Sequence, residues 1–328
     1  MTGAMTSAGG GVWRVGTRAS ALARAQAATI AAALTARTGR PAELVEIATV
    51  GDSSSAPLPA IGGTGVFVSA LRDALLAGTV DVAVHSYKDL PTGPVEGLAI
   101  VAVPVRADPR DALVARDRRT LAELPPGSTI GTGSPRRAAQ LRLLGLGHDV
   151  VGIRGNVDTR LRKVAAHEFD AVVLACAGLA RLGRLGEITE TFDPTVMLPA
   201  PGQGALAVEG ARDRAEELAA ALAAIEDPAT RAAVDAERTV LGVLGAGCSA
   251  PIGALAEVVE GEDGLELSLR ATAVDVDGTA SIRWSASGPL SAPVALGRLV
   301  AAELLAGGAA DLVGLSGTLL PAAGGTTR

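Results

Sequence analysis

Hydrophobic positions in the first two-thirds of the chain form short apolar runs that alternate with longer stretches of mixed polarity. The runs Val12–Gly16 and Val80–Val84 are rich in β-branched residues and predict strands. From Ser20 to about Ala36, apolar residues recur at near-helical spacing, which predicts a helix with Ser20 as its N-cap. Alternation of this kind is typical of βαβ units with a parallel sheet.

The same pattern restarts after Val105. Ser128–Gly131 and Ala171–Ala175 predict strands, and Ser134 followed by Pro135 predicts a helix whose first residue is Pro135. Proline suits that position because its missing N–H has no partner to lose there. These elements predict a second α/β unit of similar size.

Beyond Pro228 the hydrophobic pattern changes. It predicts one helix, Ala229–Leu244, which is followed by segments of alternating polarity. The alternating segments are Ala254–Val259, Leu265–Val274 and Ser281–Ala286. They predict antiparallel strands in an α+β module of about 100 residues.

The chain is therefore predicted to be an α/β protein with two larger α/β domains and a smaller C-terminal α+β domain. The first domain is expected to be discontinuous, because Leu206–Glu209 predicts a strand that returns to it. The predicted domain boundaries are 12–104 with 200–222, then 105–199, then 228–320. The end segments 1–11 and 321–328 are expected to be disordered.

Composition and charge narrow the possible functions of the 328 residues. Aromatic residues make up 2% and the net charge is −6, so we expect no nucleic-acid binding. The charge is uneven, since residues 105–163 hold twelve Lys and Arg against six Asp and Glu. A basic segment within an acidic protein indicates a site for anions.

No apolar segment reaches the ~18 residues that span a membrane, so we expect no membrane association. The first eleven residues lack a basic n-region and an apolar h-region, which predicts no secretory signal. Cys176 and Cys248 are too few for a disulfide framework, and no metal motif is present, so a metal-free cytoplasmic protein is expected. Cys176 lies in an apolar run and is predicted to be part of the core.

Arginine-bearing turns occur three times where a predicted strand passes into a predicted helix. These turns are Gly16–Ser20, Gly131–Arg137 and Arg154–Arg160. A helix N-terminus offers unpaired N–H groups and partial positive charge, and a guanidinium beside it binds carboxylate or phosphate. Three such turns predict a ligand that carries several negative charges.

Lys88 and Asp89 follow the strand Val80–Val84, at the kind of position where ligands bind in open α/β sheets. They are candidates for substrate binding and proton transfer, or alternatively form a surface ion pair. Cys248 lies in a loop of small residues and is either a reactive thiol or a small packed side chain.

The ordered set of motifs closely resembles the porphobilinogen deaminase (hydroxymethylbilane synthase) family over about residues 12–315. The motifs are Thr17–Ser20, His85–Asp89, Asp108–Asp111, Gly131–Arg137, Arg154–Asn156, Leu198–Gly204 and Gly247–Cys248. The resemblance implies a transferase of tetrapyrrole and haem biosynthesis that joins four porphobilinogen molecules head to tail, releases ammonia at each addition and then hydrolyses the product to hydroxymethylbilane. It also implies two α/β domains like those of periplasmic binding proteins around a cleft, and a monomer.

The resemblance further implies a covalent dipyrromethane cofactor, attached through a thioether to Cys248, and a catalytic aspartate, Asp89. Residues that would bind the carboxylates of cofactor and substrate are Arg18, Ser20, Lys88, Ser134, Arg136, Arg137, Arg154 and Arg160. Gln203 matches a motif glutamine near the active site and is included among the cofactor-binding residues. This fits the arginine turns, because each pyrrole ring carries an acetate and a propionate.

The long loop 51–65 departs from the family pattern, since Thr64 and Val50 stand where basic residues are common. These departures argue against a charged clamp formed by this loop. They leave open a degenerate family member with weak activity. The competing hypothesis from another class is a non-catalytic anion-binding protein of the same periplasmic-binding-protein-like fold.

Overall fold

The structure, a computed structural model, describes residues 11–48, 68–247, 249–261 and 264–314. Within these ranges the strands are β1 (Trp13–Thr17), β2 (Ala42–Glu46), β3 (Val82–Ser86), β4 (Leu98–Ala102), β5 (Asp111–Ala115), β6 (Thr129–Gly131), β7 (Asp149–Val151), β8 (Ala171–Ala175), β9 (Glu190–Thr191), β10 (Leu206–Ala211), β11 (Ile252–Gly261), β12 (Gly264–Val274) and β13 (Ser281–Pro289). The α-helices are α1 (Ala21–Thr38), α2 (Ser69–Leu76), α3 (Pro135–Leu143), α4 (Val157–Ala165), α5 (Cys176–Arg181), α6 (Ala215–Leu222), α7 (Pro228–Val243), α8 (Pro293–Ala306) and α9 (Ala309–Leu312).

The described residues form two compact units. The first unit contains 11–48, 68–90, 94–105 and 206–227. The second unit contains 91–93, 106–205, 228–247, 249–261 and 264–314.

The first unit is built on a five-stranded sheet in the order β2-β1-β3-β10-β4. Strand β10 returns from late in the chain and runs antiparallel to both of its neighbours. Helices α1 and α6 pack on one face and α2 packs on the other. Helix α1 begins at its N-cap Ser20 and ends at Gly39, whose left-handed φ of 69° suits glycine.

The second unit contains a five-stranded sheet in the order β7-β6-β8-β5-β9. As in the first unit, a run of parallel strands is followed by one antiparallel strand, which here is β5. The prediction of two similar α/β parts is therefore confirmed.

A three-stranded antiparallel sheet, β11-β12-β13, forms the C-terminal part of the second unit. Helices α7 and α8 cover one of its faces through a core of aliphatic side chains. The fully buried Glu237 on α7 connects this module to the rest of the unit. Its carboxylate accepts from Arg106 Nη1 and Gly202 N, each at 2.6 Å, and from Ala256 N at 2.8 Å. The predicted smaller α+β part is confirmed.

Most predicted elements are present, with shifts of a few residues at their ends. Cys176 is buried, as expected, but it begins α5 instead of ending a strand. The two-residue strand Glu190–Thr191 was missed because it is too short to show an alternating pattern. No helix in the described part of the chain is long and apolar enough to cross a membrane.

Candidate functional site

The turn between β1 and α1 carries two of the predicted binding residues of the first unit. Ser20 is the N-cap of α1, and its Oγ accepts a hydrogen bond from Ala23 N at 3.3 Å. A hydroxyl that accepts this bond still has its own O–H to donate. Arg18 is half-buried and lies in the same turn, beside the positive end of an 18-residue helix. This arrangement suits an anion.

Strand β3 leads into a 3₁₀ turn, Tyr87–Asp89, in which Tyr87 is buried while Lys88 and Asp89 are partly exposed. Because β1 and β3 are adjacent and parallel, this turn and the turn that carries Arg18 lie at the same edge of the sheet. The end of β3 is held to α1 by a 3.0 Å bond from Gln26 Nε2 to Ser86 Oγ. The first unit thus brings together the predicted catalytic aspartate and two basic side chains at one edge.

A trio of ionisable side chains, Glu209, Arg72 and His85, supports the end of β3 and was not predicted from the sequence. Glu209 on β10 lies 2.9 Å from Arg72 Nη2 and 3.2 Å from His85 Nε2. Burial opposes the ionisation of Glu209, but hydrogen bonds from His85 and Arg72 outweigh it and hold the pKa of the carboxyl below its usual range. The trio anchors β3, β10 and α2 to one another just behind the Lys88–Asp89 turn.

In the second unit, Ser134 is the N-cap of α3 and Pro135 is its first residue, as predicted. Ser134 Oγ accepts a 3.4 Å hydrogen bond from Arg137 N. The side chains of Arg136 and Arg137, in the first turn of α3, are almost fully buried. Buried guanidinium groups need partners inside the protein, because their desolvation is costly.

Asp111, the first residue of β5, supplies that partner to both arginines. Its carboxylate lies 2.8 Å from Arg136 Nη1 and 2.7 Å from Arg137 Nη2, and it is fully buried. Burial alone would raise the pKa of Asp111, but the charges of the two arginines hold it well below its usual range. Asp111 is the last residue of the motif Asp108–Asp111, but the sequence does not predict its pairing with the two arginines.

Backbone carbonyls also accept hydrogen bonds from these two arginines. Arg136 Nη1 donates to Leu198 O at 2.6 Å, and Arg137 Nη1 donates to Val173 O at 2.9 Å. Within the described part of the chain, Arg136 Nε is buried without a hydrogen-bond partner. Burial also lowers the pKa of Arg136. The structure thus leaves buried donor capacity on Arg136.

Arg160 lies beside these residues on α4, whose N-cap is Asn156. Thr132 and Val151, at the ends of β6 and β7, are joined by a backbone hydrogen bond of 3.0 Å, so the two arginine turns of this unit lie side by side. Burial, followed by the charges of Arg137 and Arg154, lowers the pKa of Arg160 to about 10. The turns that carry these arginines form a site of concentrated positive charge.

Gln203 is fully buried, and the structure gives its side chain bonds within the protein. Its Nε2 donates to Pro109 O at 2.7 Å and to Asp111 Oδ1 at 2.8 Å. Its Oε1 lies 3.4 Å from Arg137 Nη2. Gln203 therefore orients the carboxylate and one of the arginines.

Three predictions fall outside the described residues. These are the tethering role of Cys248, the departures at Val50 and Thr64 in the loop 51–65, and the disorder expected at the two ends, 1–10 and 321–328. Among the residues that are described, no group of His, Cys, Asp and Glu side chains is arranged to hold a metal ion.

Comparison with protein families gives two matches along the chain. The model described as "Porphobilinogen deaminase, dipyromethane cofactor binding domain" matches residues 13–219. The model described as "Porphobilinogen deaminase, C-terminal domain" matches residues 231–306.

Individual relatives are similar over nearly the whole chain. "Porphobilinogen deaminase 1" of Streptomyces coelicolor is 56% identical over 310 residues, which cover 92% of this chain and 97% of that protein. "Porphobilinogen deaminase" of Mycobacterium tuberculosis is 57% identical over 305 residues, with 92% and 98% covered. Among solved structures, a periplasmic substrate-binding protein of an ABC transporter from Coxiella burnetii matches 67% of this chain and 94% of its own, at 14% identity and a TM-score of 0.43. A score this low supports no functional inference.

Proposed function

Since this chain belongs to the porphobilinogen deaminase family, we propose that it joins four porphobilinogen molecules head to tail, releases ammonia at each addition and hydrolyses the product to hydroxymethylbilane. The chain contains the family's dipyrromethane cofactor-binding domain. It is a transferase, hydroxymethylbilane synthase, of tetrapyrrole and haem biosynthesis.

The observation that carries this proposal is the arginine site of the second unit. Two linked pyrroles with an acetate and a propionate on each ring present four carboxylates. Arg136 keeps a buried Nε without a partner among the described residues, and the pKa of Arg160 is lowered to about 10 by burial and by neighbouring arginines. A site that concentrates positive charge in this way is stabilised by bound anions, so the residues present fit the cofactor.

The residues to which we assign the carboxylate-binding role are Arg18, Ser20, Lys88, Ser134, Arg136, Arg137, Arg154 and Arg160. Gln203 is assigned to cofactor binding through its bonds to Asp111 and Arg137, which orient the arginine side chain. The side chain of Cys248 forms the thioether that attaches the cofactor. When bound, the dipyrromethane supplies the end to which the first substrate is joined.

Asp89 is the proposed catalytic residue. Loss of ammonia from porphobilinogen leaves a cationic methylene-pyrrole, which a nearby carboxylate stabilises while accepting a hydrogen bond from the pyrrole N–H. The partial exposure of Asp89 at the edge of the sheet, in the same turn as Lys88, supports this role. Lys88 and Arg18 then hold the substrate carboxylates at that edge.

The proposed organisation has three domains, 12–104 with 200–222, 105–199 and 228–320, in a monomeric cytoplasmic protein. The gap between the two family matches, from 219 to 231, supports the boundary near Pro228. Light scattering of the purified protein tests the monomer, since a dimer would double the measured mass.

The experiment that tests the function is the intact denatured mass of the purified protein beside Cys248→Ser. The expected result is a wild-type excess equal to two linked pyrrole units that is absent from the variant. If the wild-type mass equals that of the bare chain, porphobilinogen is added and the mass is measured again. A chain that still gains no mass and forms no hydroxymethylbilane would be an anion-binding protein, and the proposal would be abandoned.

A further inference from the structure

We propose that Asp111 is a positioning residue that limits the affinity of the arginine site, so that the site binds a polycarboxylate and still releases it. This inference rests on the proposed function, because it concerns the residues that would hold the ligand carboxylates. Nothing in the sequence motifs distinguishes such a role from a contribution to folding alone.

Asp111 contacts the guanidinium groups of Arg136 and Arg137, which are proposed to bind the ligand. One oxygen, Oδ2, lies 2.8 Å from Arg136 Nη1. The other, Oδ1, accepts from Arg137 Nε at 2.9 Å and from Gln203 Nε2 at 2.8 Å. Asp111 contacts Arg137 along its Nε–Nη2 edge and Arg136 through Nη1, which also donates to Leu198 O. These contacts constrain the orientation of both planar guanidinium groups, and Arg136 Nε is left outside them.

The charges at this site explain why the carboxylate also controls affinity. The guanidinium groups of Arg136, Arg137 and Arg160 are buried or half-buried, and Asp111 pairs with two of them. The pKa of Asp111 is held well below its usual range by those arginines, so it stays ionised at neutral pH. Its negative charge therefore opposes every carboxylate that binds to the same guanidinium groups.

The expected size of this effect follows from distance. A carboxylate bound to either guanidinium lies roughly 5 to 8 Å from Asp111, where charges still interact appreciably in a partly buried site. Removal of the Asp111 charge is expected to tighten anion binding on the order of fivefold. Release of the anionic product should slow by a similar factor, so that KM and kcat fall together.

The test compares Asp111→Asn with wild type and with Asp149→Asn. Asp149 is exposed at the start of β7, so its replacement changes the net charge equally without touching the arginines. Inorganic sulfate is titrated against thermal unfolding of each Cys248→Ser form, a readout that needs neither cofactor nor turnover. We expect half-maximal stabilisation at about fivefold lower sulfate for Asp111→Asn and no shift for Asp149→Asn. Equal or weaker sulfate binding by Asp111→Asn would overturn the proposal.

Steady-state kinetics of the cofactor-loaded enzymes form the second readout. Asp111→Asn should lower both KM for porphobilinogen and kcat, while Asp111→Glu, which keeps the charge, should leave both constants closer to their wild-type values. A purely structural role predicts a raised KM or lost activity with unchanged sulfate binding. Because the sulfate titration does not depend on catalysis, it separates a failure of this inference from a failure of the proposed reaction.

Asp111→Asn leaves two buried guanidinium groups without their carboxylate and is expected to unfold at a lower temperature. If it does not fold, the same substitution is made in an Arg136→Met background, where one guanidinium instead of two loses its partner. The sulfate affinity of Arg136→Met/Asp111→Asn should then exceed that of Arg136→Met on the order of fivefold. Equal affinity of the single and double variants would contradict the proposal.

Discussion

Replacement of Arg160 by methionine is expected to stabilise the cofactor-free protein while weakening its function. Burial and the charges of Arg137 and Arg154 lower the pKa of Arg160 to about 10. A cation whose pKa falls on folding destabilises the fold wherever it is charged, which for arginine means throughout the usable pH range. Methionine keeps a long apolar side chain in the same space but removes the charge.

The magnitude follows from the pKa shift and the contacts of Arg160. The lowering of the Arg160 pKa to about 10 corresponds to about 3 kcal/mol against the charged form. Solvent screening of this partly exposed side chain reduces the gain on removal to about 2 kcal/mol. Loss of the 2.9 Å bond from Arg160 Nε to Gly155 O costs about 1 kcal/mol. The free energy of unfolding should therefore rise by about 1 kcal/mol.

The assay is urea unfolding, followed by circular dichroism, of Cys248→Ser with and without Arg160→Met. Arg162→Met is the matched control, because Arg162 is an exposed arginine on the same helix. Its effect should stay within about 0.5 kcal/mol. In the cofactor-loaded enzyme the sign should reverse, since bound carboxylates offset the repulsion among the arginines. If Arg160→Met destabilised the cofactor-free protein relative to Arg162→Met, the electrostatic reasoning would be refuted.

Three further predictions concern catalysis, backbone geometry and pH. Asp89→Asn should abolish turnover while preserving the cofactor mass and the thermal midpoint, and near-normal turnover would exclude Asp89 as the catalytic residue. Gly204→Ala should destabilise the fold by several kcal/mol, because φ is +87° and the added Cβ would lie 2.3 Å from Ala107 O; an unchanged midpoint of urea unfolding would contradict this. Folding lowers the pKa values of Asp111 and Glu209 from 3.8 and 4.5, so the stability that they contribute is complete above about pH 5 and is lost as the pH falls towards their folded values. The thermal midpoint of the wild-type protein, measured between pH 7 and pH 3, should fall at the acidic end of that range. The fall should be smaller for Glu209→Gln than for the wild type.

The helix starts at the candidate site could be predicted from residues that are adjacent in the chain. Ser20 and Ser134 were expected as N-caps, and both accept the capping hydrogen bond from the residue three positions later. Pro135 begins its helix because its ring fixes φ near the helical value and because it has no backbone N–H that would need a partner there. The arginine turns follow from the same short-range chemistry, so the anionic nature of the ligand was also predictable.

The partners of the buried charges could not be predicted in this way. Arg137 pairs with a carboxylate 26 positions earlier, and Arg106 pairs with Glu237, 131 positions later. Both pairs form only when sheets and helices have packed, since no periodicity or turn preference links residues so far apart. Burial and through-space charge also set the pKa of Arg160.

Local composition and spacing therefore specified the secondary structure, the α/β class and the kind of ligand. The tertiary structure decided which guanidinium groups are neutralised within the protein and which side chains lie together, because desolvation and Coulomb interaction depend on distance in space and not on distance along the chain.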